Sequence, residues 1–234
     1  MPERNREWGE ALSSISLWLL VYVAASFASV VVLVATGQSD RETVAMWALA
    51  LNVAAMWSVY LALMPRLMPF EEGRIRERFT TWFSRRDVII GVPLGIGSQL
   101  ILMNLVNWPL SRIFPDQFSP EEISRRAEEI SDAASGWWAL LLVAVVVIGA
   151  PIVEEVVYRG CLQTRLTGAL GAAAGITVTS AIFALIHLSA VEIPGLFVFA
   201  LVLGATRHRT GSLGLPIVTH MAFNAVGLSL VMVV

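Results

Sequence analysis

Long apolar runs alternate with short polar connections along the whole chain. Seven runs can be distinguished, at about residues 15–34, 44–64, 88–106, 137–153, 172–188, 193–205 and 213–234. About 20 apolar residues in succession are enough to cross the hydrocarbon core of a bilayer as an α-helix. The pattern therefore predicts an all-α protein, a polytopic bundle of about seven transmembrane helices with a buried polar site.

The composition agrees with this pattern and excludes several classes of protein. Hydrophobic residues make up 56% of the chain and charged residues 15%, where a soluble domain carries about a quarter charged residues. The net charge of −2 provides no basic surface for a phosphate backbone, so no nucleic acid partner is expected. A single cysteine, Cys161, excludes an internal disulfide framework and a multi-cysteine zinc site. The chain contains no lysine, which excludes Schiff-base and Ser-Lys chemistry.

The connection at residues 65–87 carries six arginines. Four apolar residues within it share one face at helical spacing, namely Ile75, Phe79, Trp82 and Phe83. An apolar stripe opposite a basic face is typical of a helix that lies in the membrane interface. The alternative is a solvated loop with incidental aromatic residues.

A second polar connection, at residues 107–136, contains a helix start signal. Ser119 and Pro120 are followed by two acids, the order of an N-cap, a proline at the first helical position and a capping-box acid. We therefore expect a short surface helix here. Residues 1–136 are interpreted as N-terminal membrane helices with interfacial and surface helices, and residues 137–234 as a catalytic helical core, within one integrated membrane domain.

The distribution of arginine predicts the orientation. Arginines are frequent at 65–87, 159–165 and 207–209, whereas the three arginines of 107–136 are set against six acids. The positive-inside rule then places the N-terminus and the predicted loops 65–87, 154–168 and 206–212 in the cytoplasm, and residues 107–136 outside. The expected location is the plasma (inner) membrane, with the C-terminus outside and the site open to the cytoplasm.

Ionisable residues inside the apolar segments are the candidates for chemistry. Each costs about 2.5–3.5 kcal/mol at the centre of a membrane helix, so such residues are seldom incidental. Two adjacent glutamates end the fourth run, His187 lies near the end of the fifth, and His220 lies in the seventh. The third histidine, His208, stands between two arginines and is interpreted as solvated.

Helical spacing assigns different tasks to these residues. Glu155 and Arg159 are four apart and able to pair, while Glu154 points about 100° away from Glu155. His220 and Asn224 are also four apart and share a face. If the faces converge, a carboxylate, two imidazoles and a carboxamide provide a base for water and donors for an oxyanion. The structural alternatives are a neutralised anchor, a histidine bonded to backbone and interhelical hydrogen bonds.

Three motifs in order resemble those of a known family. They are Glu154-Glu155-x-x-x-Arg159, Phe183-x-x-x-His187 and His220-x-x-x-Asn224. Together they are similar to the motifs of the CPBP family, which comprises the CAAX prenyl endopeptidases and the bacteriocin-processing or self-immunity proteins. The resemblance covers about residues 137–234 and implies an α-helical intramembrane endopeptidase.

The resemblance also implies a role for each motif residue. The first glutamate and the second-motif histidine activate water, the third motif stabilises the oxyanion, and the rest of the first motif is supporting. In this chain the resemblance implies that Glu154 and His187 activate water and that His220 and Asn224 stabilise the oxyanion. Glu155 and Arg159 are then the supporting residues. The implied activity is hydrolysis of a peptide bond in a membrane-bound or lipidated, CAAX-like prenylated substrate.

Cofactor use is left open by the residues. No metal is favoured, because the chain lacks a His-Glu-x-x-His helix that would preassemble ligands and base. The alternative is a three-ligand zinc site formed by Glu154, His187 and His220.

Two other functions remain possible from the sequence. One is a non-catalytic immunity or scaffold protein that keeps the motifs for binding. The other is an ion or metal transporter, which is less favoured because the first two runs contain few polar residues beyond Asn52. For the catalytic interpretation, the motif residues meet only if the fourth helix continues beyond Glu154 or the fifth begins deep in the membrane.

Overall fold

A computed structural model of the chain describes residues 3–39, 44–68, 84–119, 122 and 136–232. Within these residues the fold consists of seven helices and no strand, which confirms the predicted helical bundle. We number them α1 (Glu3–Ala35), α2 (Met46–Leu67), α3 (Arg85–Ile113), α4 (Trp137–Leu170), α5 (Ala172–Leu185), α6 (Ile193–Thr210) and α7 (Gly214–Met232).

Five of the seven helices are long and apolar enough to cross a membrane, namely α1, α2, α3, α4 and α7. The chain is therefore an integral membrane protein. Helix α5 has 14 residues, about 21 Å at 1.5 Å per residue, and is shorter than the hydrocarbon core. The described residues thus contain the expected seven helices, of which five combine the length and the apolar composition of a full span.

Helix α4 differs most from the sequence pattern. Its apolar run ends at Val153, yet the helix continues to Leu170 and stops only at Gly171, whose φ of +80° favours glycine. Of the two conditions under which the motif residues would meet, the continuation of the fourth helix beyond Glu154 is observed. The prediction of an inner loop at 154–168 was wrong, because these residues belong to the helix; within them Arg159 is completely buried and Arg165 is exposed. In the sequence, an arginine that pairs with a buried carboxylate cannot be distinguished from an arginine in a solvated loop.

Helix α4 also contains two π-helical turns, at Ala144–Gly149 and Glu155–Leu162. The second begins at the second glutamate of the first motif and includes Arg159. Turns of this kind inside α-helices are often found at functional sites, because the extra residue redirects side chains locally. Apolar periodicity in the sequence did not predict them.

The two predicted polar helices lie mostly outside the described residues. Ser119 Oγ accepts a 3.1 Å hydrogen bond from the Glu122 backbone N–H, which confirms the predicted cap. The rest of that surface helix and the predicted interfacial helix with Ile75, Phe79, Trp82 and Phe83 are not among the described residues. Helix α3 starts with a complete capping box between Ser84 and Asp87.

The main core joins the N-terminal helices to the motif-bearing ones. Buried side chains from α1, α2, α4, α5 and α6 meet in one cluster, among them Trp18, Tyr60, Tyr158, Phe183 and Ala200. The outer faces carry exposed large apolar residues, as expected for a surface in contact with lipid. Because Tyr158 and Phe183 belong to this cluster, the candidate site lies against the centre of the bundle.

Helices α3 and α7 approach each other closely at two glycines. A Cβ atom added at Gly91 would lie 2.9 Å from Val218 Cγ1, and one added at Gly95 would collide with the Thr219 carbonyl oxygen. Small residues four apart allow membrane helices to come into backbone contact. This contact fixes the position of α7 immediately before His220.

Candidate active site

The Glu155 carboxylate is the centre of the polar cluster. Its Oε1 atom accepts hydrogen bonds from Arg159 Nη1 at 3.0 Å and from His220 Nδ1 at 3.0 Å. The side chains of Glu155 and Arg159 are completely buried, and that of His220 is 5% exposed. The predicted Glu155–Arg159 pair is confirmed. The bond to His220 was not predicted, because no local spacing relates residues 65 positions apart.

Arg159 ties this cluster to two other helices. Its Nη2 atom donates to the Ala200 carbonyl of α6 at 3.4 Å, and its guanidinium lies 4.5 Å from the centre of the Phe183 ring of α5. One turn later, Gln163 Nε2 donates to the Gly204 carbonyl at 3.0 Å. Gln163 was not predicted, although a glutamine four residues after a motif arginine was a usable signal.

Glu154 occupies a different environment from its neighbour. Its side chain is 26% exposed, and its Oε2 atom lies 3.8 Å from His220 Nε2. This separation is longer than a direct hydrogen bond and leaves the carboxylate accessible. The two glutamates therefore lie on opposite sides of one imidazole, with Glu155 at Nδ1 and Glu154 at Nε2.

The bond to Glu155 determines the tautomer of His220. A carboxylate paired with an arginine accepts hydrogen bonds and does not donate them, so Nδ1 carries the proton. In neutral His220 the lone pair is then on Nε2, facing Glu154. For Nε2 to donate a hydrogen bond, His220 must be an imidazolium, whose charge the buried Glu155 carboxylate would offset.

His187 lies in the turn that follows α5. Its Nδ1 atom is 2.8 Å from the Phe183 carbonyl oxygen, which only accepts, so Nδ1 is the donor and Nε2 has the lone pair when the ring is neutral. The Phe183 ring contacts both imidazoles, with centroids 5.0 Å from His187 and 6.0 Å from His220. The next residue, Leu188, has a φ of +54°, a costly conformation for a bulky side chain that is often found at functional sites.

Asn224 is attached to α4 rather than to the glutamates. Its Nδ2 atom donates a 2.8 Å hydrogen bond to the Val146 carbonyl, in the first π-helical turn. The structure thus brings Glu154, Glu155 and His220 together directly. His187 joins them through Phe183, and Asn224 lies one turn further along α7.

A metal site would need several of these side chains to converge on one point. Among those described, no three histidine, cysteine, aspartate or glutamate side chains are grouped so that they could hold a metal ion. The zinc alternative with Glu154, His187 and His220 therefore receives no support, and neither does a metalloprotease-like description. Metal independence remains a prediction.

Comparison with known protein families agrees with the motifs. Residues 136–226 match the family model described as Type II CAAX prenyl endopeptidase Rce1-like. The resemblance to this protease family is confirmed. The matched region begins just before α4 and ends two residues after Asn224, so it includes all three motifs. Among curated proteins and among solved structures, none matches the chain significantly.

This match supports the family-level assignment of the chain as a CAAX-type intramembrane protease. It also supports a substrate that is associated with the membrane. The first 135 residues, which include α1 to α3, lie outside the matched region.

Proposed function

We propose that the chain is an intramembrane endopeptidase that hydrolyses a peptide bond of a membrane-associated, CAAX-like prenylated substrate. The observation that carries this proposal is the unequal environment of the two adjacent glutamates. Glu155 is buried with two partners, whereas Glu154 is about a quarter exposed and faces His220 Nε2. One carboxylate is thus available to water and the other is not.

In the proposed mechanism Glu154 takes a proton from the attacking water. We assign His187 an assisting role, since donation from its Nδ1 atom to the Phe183 carbonyl makes Nε2 the basic nitrogen of the neutral ring. Water oxygen then adds to the scissile carbonyl carbon, and the proton passes to the departing amine as the C–N bond breaks.

The negative charge that develops on the carbonyl oxygen needs donors. We assign this role to His220, as an imidazolium donating from Nε2, and to Asn224. The Glu155 carboxylate supports the cationic form of His220 through its 3.0 Å bond to Nδ1. Preorganised donors of this kind contribute about 100- to 1,000-fold to turnover each.

The substrate is tested most directly with matched peptides. Purified full-length chain in detergent is given a quenched fluorescent CAAX-type peptide with and without a prenyl group, and products are identified by mass spectrometry. The proposal predicts cleavage of the prenylated peptide, with ¹⁸O from labelled water in the new carboxyl group. Cleavage of both peptides at equal rates would contradict prenyl recognition while leaving the protease assignment intact.

A non-catalytic immunity or scaffold protein is distinguished in cells. Membrane peptides are compared by proteomics between cells that produce the wild-type chain and cells that produce Glu154→Gln. The proposal predicts shortened peptides only with the wild type. Identical peptide populations, together with no cleavage in the purified assay, would favour the non-catalytic alternative.

A further inference from the structure

Helix α4 changes its hydrogen-bond pattern just before the two glutamates. Residues Ala144–Gly149 form a π-helical turn, and the Ala150 N–H bonds the Val145 carbonyl, five residues back. In a regular α-helix this N–H would bond the Val146 carbonyl instead. The next residue, Pro151, has no N–H and is unable to close a five-residue turn onto Val146.

The Val146 carbonyl receives its donor from another helix. Asn224 Nδ2 of α7 donates to it at 2.8 Å. A carbonyl inside a membrane protein needs a donor, so a side chain replaces the missing backbone group. We propose that Pro151 is a positioning residue for Asn224: by removing a backbone N–H from α4, it reserves the Val146 carbonyl for the Asn224 amide.

The bond to Val146 has a consequence for the second N–H of Asn224. A carboxamide is planar, and its two N–H groups diverge by about 120°, so anchoring one of them fixes the direction of the other. The proposed function, on which this inference rests, requires that second N–H as an oxyanion donor. Such a donor is effective when its direction is set before the reaction begins.

The link between Pro151 and Asn224 is tested by NMR without turnover. The chain has five asparagines, Asn5, Asn52, Asn104, Asn107 and Asn224. The full-length chain in detergent micelles is labelled with ¹⁵N-asparagine, and the Asn224 side-chain pair is identified by its loss in Asn224→Ala. In Pro151→Ala the new backbone N–H competes for carbonyls of this turn, so the Asn224 pair is expected to shift and exchange faster with water.

Pro109→Ala is the matched control, because Pro109 is also inside a helix but is exposed on α3. It should leave the Asn224 resonances unchanged. Unchanged Asn224 resonances in Pro151→Ala would overturn the inference, whatever its effect on activity.

Measurements of turnover provide a second, independent test of the link between Pro151 and Asn224. Pro151→Ala should lower kcat about tenfold, a part of what a lost oxyanion donor costs, with KM within about twofold. Its unfolding temperature should be unchanged or higher, since a proline inside a helix is unfavourable. In an Asn224→Ala background Pro151→Ala should have no further effect on kcat, and an equal loss in both backgrounds would contradict the inference. Full turnover of Asn224→Ala alone would instead refute the proposed oxyanion role, while the NMR result would still decide whether Pro151 positions Asn224.

Discussion

Glu155 of α4 and His220 of α7 are joined by a 3.0 Å hydrogen bond although they lie 65 residues apart. The same carboxylate oxygen also accepts from Arg159. One buried carboxylate therefore serves two purposes, since it neutralises an arginine and orients an imidazole. Its neighbour Glu154 is partly exposed, and Arg159 pairs with Glu155 rather than with Glu154.

The buried pair should behave differently from a surface pair of the same spacing. Arg159→Met leaves Glu155 buried without its arginine, and we expect a loss of about 3–5 kcal/mol in the free energy of unfolding. Arg6→Met is the matched control, because Arg6 and Glu10 are also four apart, at 3.7 Å, but are exposed. Its effect should stay below about 1 kcal/mol. Thermal unfolding in one detergent measures both, and equal effects would contradict the account.

Removing both members of the buried pair separates stability from catalysis. Glu155→Leu combined with Arg159→Met replaces an ion pair by apolar side chains and should recover much of the lost stability. Turnover should stay low, because the His220 Nδ1 atom no longer has a carboxylate acceptor. A stable double variant with wild-type turnover would show that the bond to His220 is not needed.

The close approach of α3 and α7 predicts opposite effects at two glycines. In Gly95→Ala the new Cβ collides with the Thr219 carbonyl, and we expect a loss of about 1–3 kcal/mol. In Gly97→Ala the Cβ meets no atom within 4 Å, so higher helix propensity should stabilise by about 0.5–1 kcal/mol. Thermal unfolding distinguishes them, and a neutral Gly95→Ala would contradict the described contact.

Metal independence is a further prediction. Strong chelators should leave turnover of the purified chain unchanged, and elemental analysis should find less than stoichiometric zinc. Loss of activity on chelation, restored by zinc and not by other divalent ions, would favour a zinc site formed by Glu154, His187 and His220.

The orientation predicted from arginine placement is tested with single cysteines in a Cys161→Ala background. Ser39→Cys and Asp116→Cys should react with an impermeant thiol reagent in intact cells, whereas Thr210→Cys should react only after the cells are opened. The burial of Arg159 makes this test necessary, since it removes one of the loop charges used in the prediction. The opposite labelling pattern would reverse the orientation.

The sequence predicted those features that depend on local spacing. Apolar runs indicated all seven helices, and the four-residue spacing of Glu155 and Arg159 indicated their ion pair. The second half of α4 was predicted as an inner loop, because a buried arginine with a carboxylate partner cannot be distinguished in the sequence from a solvated arginine. The contact between Glu155 and His220 depends on how α4 and α7 come together, which no single helix encodes.

Two other features needed the three-dimensional arrangement. The π-helical turns of α4 consist of backbone hydrogen bonds that reach one residue further than those of an α-helix, and apolar periodicity does not predict them. The pair Gly91 and Gly95 was a readable small-residue motif within an apolar helix, but the sequence alone does not say which helix it faces.

The adjacent glutamates have separate tasks in the proposed mechanism, and one paired measurement tests this division. The kcat and unfolding temperature of Glu154→Gln and Glu155→Gln are compared on the same prenylated peptide. We predict that Glu154→Gln unfolds like the wild type and loses at least about 100-fold in kcat, the lower range for a lost general base. Glu155→Gln should unfold at a clearly lower temperature and keep more turnover than Glu154→Gln. A fully active Glu154→Gln beside a well-folded, inactive Glu155→Gln would contradict the account.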